Sequence, residues 1–180
     1  MKKYKSQPLG HKDISKFAEI FRLIFKINKY EKLDVLWLLE HTISAYFKDF
    51  SWRIVKKLKP NQQAYADINN KEIVLLEEVY DGACAGDGRS RFTIMHEISH
   101  LFLISFQNVK LYCIEPNEKI KVYEDPEWQA NSLASELLAP LDVIENMDEE
   151  EISEKRGISL DAAHVQKEKY LRLKTKEEKT

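Results

Sequence analysis

The amino-acid sequence predicts an α+β fold, mostly helical, with a small antiparallel sheet and a C-terminal hairpin of helix-turn-helix rhythm. Three observations predict it. Apolar residues recur at helical spacing from Ile14 onward, alternating apolar positions are confined to residues 52 to 80, and Gly157 separates two short helical patterns near the C-terminus. A chain of 180 residues that is 43% hydrophobic can bury one well-packed core. The organisation expected is a domain over residues 1–140, N-terminal helices included, followed by a helical hairpin and flexible tail over 141–180.

The elements follow in order. From Asp13 to Phe25, Ile14, Phe17, Phe21 and Ile24 fall on one face with lysines, serine and glutamate between them, an amphipathic helix. A second helix starts after Asp34 as N-cap and runs through Val35, Leu36, Leu38 and Leu39 toward Ile43, with Trp37 expected to be buried in it. Trp52, Ile54 and Leu58 lie at even steps, and AYADI and EIVLL flank an Asn69-Asn70-Lys71 turn, so a short antiparallel sheet is expected. The stretch DGACAGDGRS at 81–90 holds three of the five glycines and reads as a loop. It leads into a helix from about Phe92 to about Ile104, with Phe92, Ile94, Met95, Leu101 and Phe102 in apolar contact. A strand follows at Val109–Ile114. Asp125 as N-cap, Pro126 at the first helical position and Pro140 as terminator then frame another helix. Beyond the acidic run Asp148–Glu151, Ser159 caps the second helix of the hairpin, and the last ten residues are expected to fray.

Composition excludes several classes of function. The 28 basic and 30 acidic residues leave a net charge of −2, so overall charge favours neither nucleic acid nor an anionic membrane. No apolar signal region follows the first residues, and no run approaches the ~18 apolar residues that span a bilayer. Cys84 and Cys113 stand apart, which excludes a disulfide framework and a cysteine-rich zinc knuckle. A cytoplasmic protein is expected.

The chemistry is concentrated at residues 96–100, which read HEISH. On a helix, His96 and His100 stack one turn apart with Cβ atoms about 5 to 6 Å apart, close enough for both imidazoles to bind one zinc ion. Glu97, rotated about 100° around the axis, is placed to act as general base toward a water at the metal. A catalytic zinc site takes three protein ligands, and Glu127 is the best candidate for the third, fixed in the first turn of the capped helix. Glu124 precedes the cap and is the weaker choice, while Glu136 faces the opposite side. Ala130 and Ala134 are small enough for the two helices to approach closely. Two readings stand for Asn131: a group that hydrogen-bonds a ligand imidazole, or a polar residue facing solvent.

Arg91-Phe92-Thr93 before HEISH, and Glu127 through Pro140 in the form E-x-x-A-N-x-x-A-x-x-L-L-x-P, resemble the ImmA/IrrE family of metallopeptidases of bacteria, phages and mobile elements. The chain departs from that pattern at Leu133, usually Phe, and Ala139, often Met. The resemblance covers residues 60–140 strongly and the helical N-terminus more weakly, and implies a zincin-like domain over 1–140, Zn2+ bound by His96, His100 and Glu127, and Glu97 as catalytic residue. It further implies a gluzincin-type endopeptidase acting as an anti-repressor, with an Xre-like helix-turn-helix repressor as protein substrate, or a toxin paired with an Xre-like antitoxin.

Two other classes compete. ISEKRGISLDAAHV has the rhythm of a DNA-binding helix-turn-helix, but its second helix opens Leu160-Asp161-Ala162-Ala163, without a base-reading side chain, and the acidic run before it repels phosphate. Direct nucleic-acid binding is therefore not expected. A zinc-bearing binding protein without proteolysis is the other, against which the intact Glu97 counts, with Cys84 as a conceivable inhibitory thiolate. Tyr112, Tyr123 and His164 are the available oxyanion donors, each more naturally read as structural.

Overall fold

The computed structural model describes residues 3–115 and 117–177. Strand β1 (Lys3–Ser6) leads into helix α1 (His11–Phe25), which turns Ile14, Ala18, Phe21 and Phe25 inward. Its first turn is closed by the Gly10 N–H donating to Asp13 at 2.8 Å. The Phe21 ring meets Phe25 and Phe102 at centroid distances of 4.6 and 4.9 Å. Burial of each such ring contributes about 1.5–3 kcal/mol, which anchors α1 across the helix that carries HEISH.

Asp34 caps α2 (Val35–Trp37) by accepting from the Trp37 N–H at 2.9 Å, and the helix continues through a π-helical turn (Leu38–Thr42) into α3 (Ile43–Tyr46). Trp37 is not buried as expected but 59% exposed, stacked on His41. Val35, Leu38, Leu39 and Ile43 take the inner face, and position 37 falls on the opposite one.

Strands β2 (Ser51–Val55), β3 (Ala64–Asp67) and β4 (Glu72–Leu76) form a sheet in the order β2-β4-β3. β3 and β4 make the antiparallel hairpin, with Ala66 opposite Ile73 and Asp67 accepting from the Asn69 and Asn70 N–H groups in the turn. β2 instead pairs parallel to β4, Trp52 opposite Ile73, because the chain after β2 crosses the end of β4 to start β3 on the far edge.

The glycine-rich stretch is mostly helical, contrary to the expected loop. α4 (Glu77–Cys84) runs through Gly82, α5 (Gly88–Leu101) starts at Gly88, and only 85–87 connect them. These glycines serve close packing. A Cβ on Gly82 would lie 2.3 Å from Ser90 Oγ, and one on Gly88 2.4 Å from the Ser159 backbone nitrogen. α5 passes into a π-helical turn (Phe102–Phe106), and β5 (Leu111–Ile114) returns to pair antiparallel with β1.

A short 3-10 turn (Val122–Glu124) delivers the chain to α6 (Pro126–Leu138), capped by Asp125 as expected. Ala130 and Ala134 are fully buried, and α5 and α6 form the most extensive helix pair of the fold. Helices α7 (Glu149–Arg156) and α8 (Leu160–Glu177) complete the hairpin around Gly157, whose φ of 63° is left-handed. Ile152, Ile158 and Ala163 enter the same core as α1, α5 and α6. Residues 171–177, expected to fray, continue α8, because Tyr170 and Lys174 both reach Glu145; 178–180 lie outside the described residues. The mostly helical α+β fold with a small sheet and a C-terminal helical hairpin expected from the sequence is thus the fold observed. No helix among the described residues is long and apolar enough to cross a membrane.

Candidate metal centre

Two capped helices set the geometry. Asp87 caps α5 by accepting from the Ser90 N–H at 2.7 Å, and Asp125 caps α6 by accepting from the Glu127 N–H at 3.0 Å. The first fixes the helix that carries His96, Glu97 and His100. The second holds the Glu127 backbone itself, so its side chain leaves a rigid first turn.

The three expected ligand residues meet. His96 Nε2 and His100 Nε2 are 3.0 Å apart, and the Glu127 carboxylate oxygens stand 3.3 Å from each of them. Zinc–nitrogen bonds of about 2.0–2.1 Å in a tetrahedron separate neighbouring donors by about 3.3 Å, so the donor set has the dimensions of one zinc ion. Among the described residues, these are the only His, Cys, Asp or Glu side chains grouped closely enough to hold a metal. Glu124 and Glu136 stay outside: Glu136 is buried on the far side of α6, as its spacing predicts.

The tautomer is set from α6. Asn131 Oδ1 lies 2.8 Å from His96 Nδ1, and a carbonyl oxygen only accepts, so Nδ1 carries the proton and Nε2 offers its lone pair to the centre. The first of the two readings of Asn131 is the one realised.

Electrostatics follow the geometry. When the imidazoles are protonated on Nε2, hydrogen bonds from His100 and then His96 hold the Glu127 carboxyl far below the usual carboxylate range. Burial pulls the His96 pKa down, but Glu127 and Glu97 outweigh it and the net shift is upward. Glu97 is only 9% exposed, and burial raises its pKa against the pull of both imidazoles and the Ala66 N–H. A carboxylate with raised basicity beside the donor set can accept a proton from a water held there.

A cleft of about 390 Å³ opens over the centre, walled by Tyr65 and Ala66 of β3 on one side and by Tyr4 of β1 and Leu111 of β5 on the other. Neither Tyr112, Tyr123 nor His164 lines it, and Cys84, exposed at the end of α4, does not either. Tyr4, Tyr65 and the Ala66 N–H were not singled out from the sequence. They reach the centre through strand pairing, and the one local hint is that AYADI lies one strand and one short helix before the HEISH helix.

The family model described as the IrrE N-terminal-like domain, of the M78 peptidases, matches residues 54–166, well over half of the chain. The chain belongs to this peptidase family. The match bears out the ImmA/IrrE resemblance drawn from Arg91-Phe92-Thr93 and Glu127–Pro140, and makes the protein a metallopeptidase-family member. In this IrrE-like peptidase the matched span runs from the end of β2 into the first turns of α8, so it takes in the β3–β4 hairpin, both site helices and α7. No curated protein matches the chain.

Proposed function

We propose that this IrrE-like peptidase is a zinc-dependent endopeptidase in which His96, His100 and Glu127 hold the metal and Glu97 is the general base. The observation that carries the reading is the cluster of donor atoms, the two Nε2 atoms 3.0 Å apart and a different Glu127 carboxylate oxygen 3.3 Å from each, with a buried carboxylate next to it. Zinc, when bound, polarises the scissile carbonyl and acidifies a water. Glu97 takes one proton from the attacking water onto its carboxylate and passes it to the leaving amine. Asn131 keeps the His96 proton on Nδ1 throughout. The buried wall of Glu97 excludes bulk water from that transfer.

β3 is an edge strand beside Glu97, and its outer backbone groups suit an extended peptide laid along it as an added strand. An extended segment, rather than a folded domain surface, is the substrate form this favours. From the family resemblance, the substrate is a helix-turn-helix repressor of the Xre type, cut in the cytoplasm at an exposed segment.

Purified protein is expected to bind one zinc per chain. His96→Ala should abolish this binding, while Glu97→Gln should retain the metal and lose cleavage. The activity assay is incubation with the repressor encoded beside the gene, read by mass spectrometry of fragments. Metal-free protein after zinc loading, or full cleavage by Glu97→Gln, would overturn the reading.

A further inference from the structure

A second cavity, of about 430 Å³, lies between the start of α1, the outer face of α6 and α8. It shares no lining residue with the cleft over the metal centre, although Asn131 stands in its wall. Two cationic side chains and an imidazole line it. Lys169 and Arg172 line it, and neither has a hydrogen bond or ion pair among the described residues. His11 lines it too, and its Nδ1 is buried without a hydrogen-bond partner.

Such an arrangement is unfavourable without a counter-charge. Burial, more than any neighbour, lowers the pKa of Lys169, and the carboxylate that acts on it, Glu136, is itself buried and shifted toward its neutral form. Glu168 contributes one exposed carboxylate at the rim. His164 is already paired with Glu149 at 2.8 Å. Trp128 supplies a flat apolar wall, its ring edge-on to His11 at 5.3 Å, and the Ser132 and Ser135 side chains add hydroxyls. Cationic donors on one side and an indole on the other make a site with two different ends.

We propose that this cavity binds a small anionic molecule, with a phosphate or carboxylate head against Lys169, Arg172 and His11 and a planar body along Trp128. The site is separate from the proposed metal ligands, so it does not depend on the peptidase reading. Its groups come from α1, α6 and α8, and the close docking of the C-terminal hairpin is what assembles it.

The test is fluorine NMR on full-length protein carrying fluorotryptophan, which separates Trp128 from Trp37 and Trp52. AMP and benzoate are titrated as head-plus-ring probes, with adenosine and benzamide as uncharged counterparts. Saturable shifts of Trp128 with AMP or benzoate, absent with the uncharged probes, are expected; AMP alone assigns a phosphate head, benzoate alone a carboxylate. Loss of a charge-assisted contact is worth roughly a tenfold weakening or more, so Lys169→Met and Arg172→Met should each show it, and Lys169→Arg should not. Dispersed spectra of the variants exclude unfolding as the cause. His100→Ala should bind the probes as wild type does, which separates this result from any failure of the metal reading. No saturation by either anion, equal binding of adenosine and AMP, or unweakened binding in both methionine variants would overturn the proposal.

Discussion

Asn131 shows how much a single hydrogen bond decides at the residue scale. Its Oδ1 fixes the proton on His96 Nδ1, while the residue itself is exposed and contributes little to packing. Removal of such a partner weakens metal binding by about 10–100-fold in comparable centres. Asn131→Ala is therefore expected to lower zinc affinity by that order in a chelator competition, with an unchanged urea midpoint; an unchanged zinc affinity would show that the tautomer is held elsewhere. The donor set was legible in the sequence because each part is local: His96 and His100 share a helix turn, and Glu127 follows its own cap and proline. Asn131 was half legible, since spacing put it one turn from Glu127 but could not say which way its helix faced. Tyr4, Tyr65 and the Ala66 N–H were not, because strand pairing alone brings them to the cleft.

Among the elements, the glycine-rich stretch 81–90 is where reading by composition failed, and the reason is steric. Glycine marks a loop when conformational freedom is needed, but Gly82 and Gly88 are there for the space a Cβ would take. Gly88 sits at the start of α5 against the backbone of Ile158 and Ser159, where an added Cβ would be 2.5 Å from one and 2.4 Å from the other. Neither neighbour is a flexible side chain. Gly88→Ala must therefore push α5 and the hairpin apart, at a cost of about 1–3 kcal/mol, visible as a lower urea midpoint; an unaltered midpoint would refute the close approach. The direction of β2 was illegible for another reason: alternation reports which face of a strand is buried, not which neighbour it pairs with.

The whole molecule is tied together by charged side chains that a sequence reader assigns to the surface. Arg91, from the Arg-Phe-Thr signature, donates to the carbonyls of Gly157 and Leu33, and Arg156 donates to that of Leu138. Both are nearly fully buried, and they join the hairpin to the helices around the centre. The same assembly encloses His11, whose pKa burial lowers first, with Lys169, Arg172 and Lys176 of α8 pushing in the same direction. The sign of the consequence is fixed. In the unfolded chain an imidazole protonates near its ordinary pKa of about 6.5, whereas His11 in the fold resists protonation until lower pH. The unfolded state therefore binds more protons in that window, and the stability present above it is lost as pH falls. His164, shifted upward beside Glu149, acts in the opposite sense, but it is common to wild type and a His11 variant and cancels in their difference. From about pH 7.5 down to about pH 5, wild type should lose stability relative to His11→Gln in urea unfolding, and the His11 ring should titrate below its ordinary value by NMR. A stability difference that stays constant across that range would show that α1 and α8 leave His11 in a solvent-like environment.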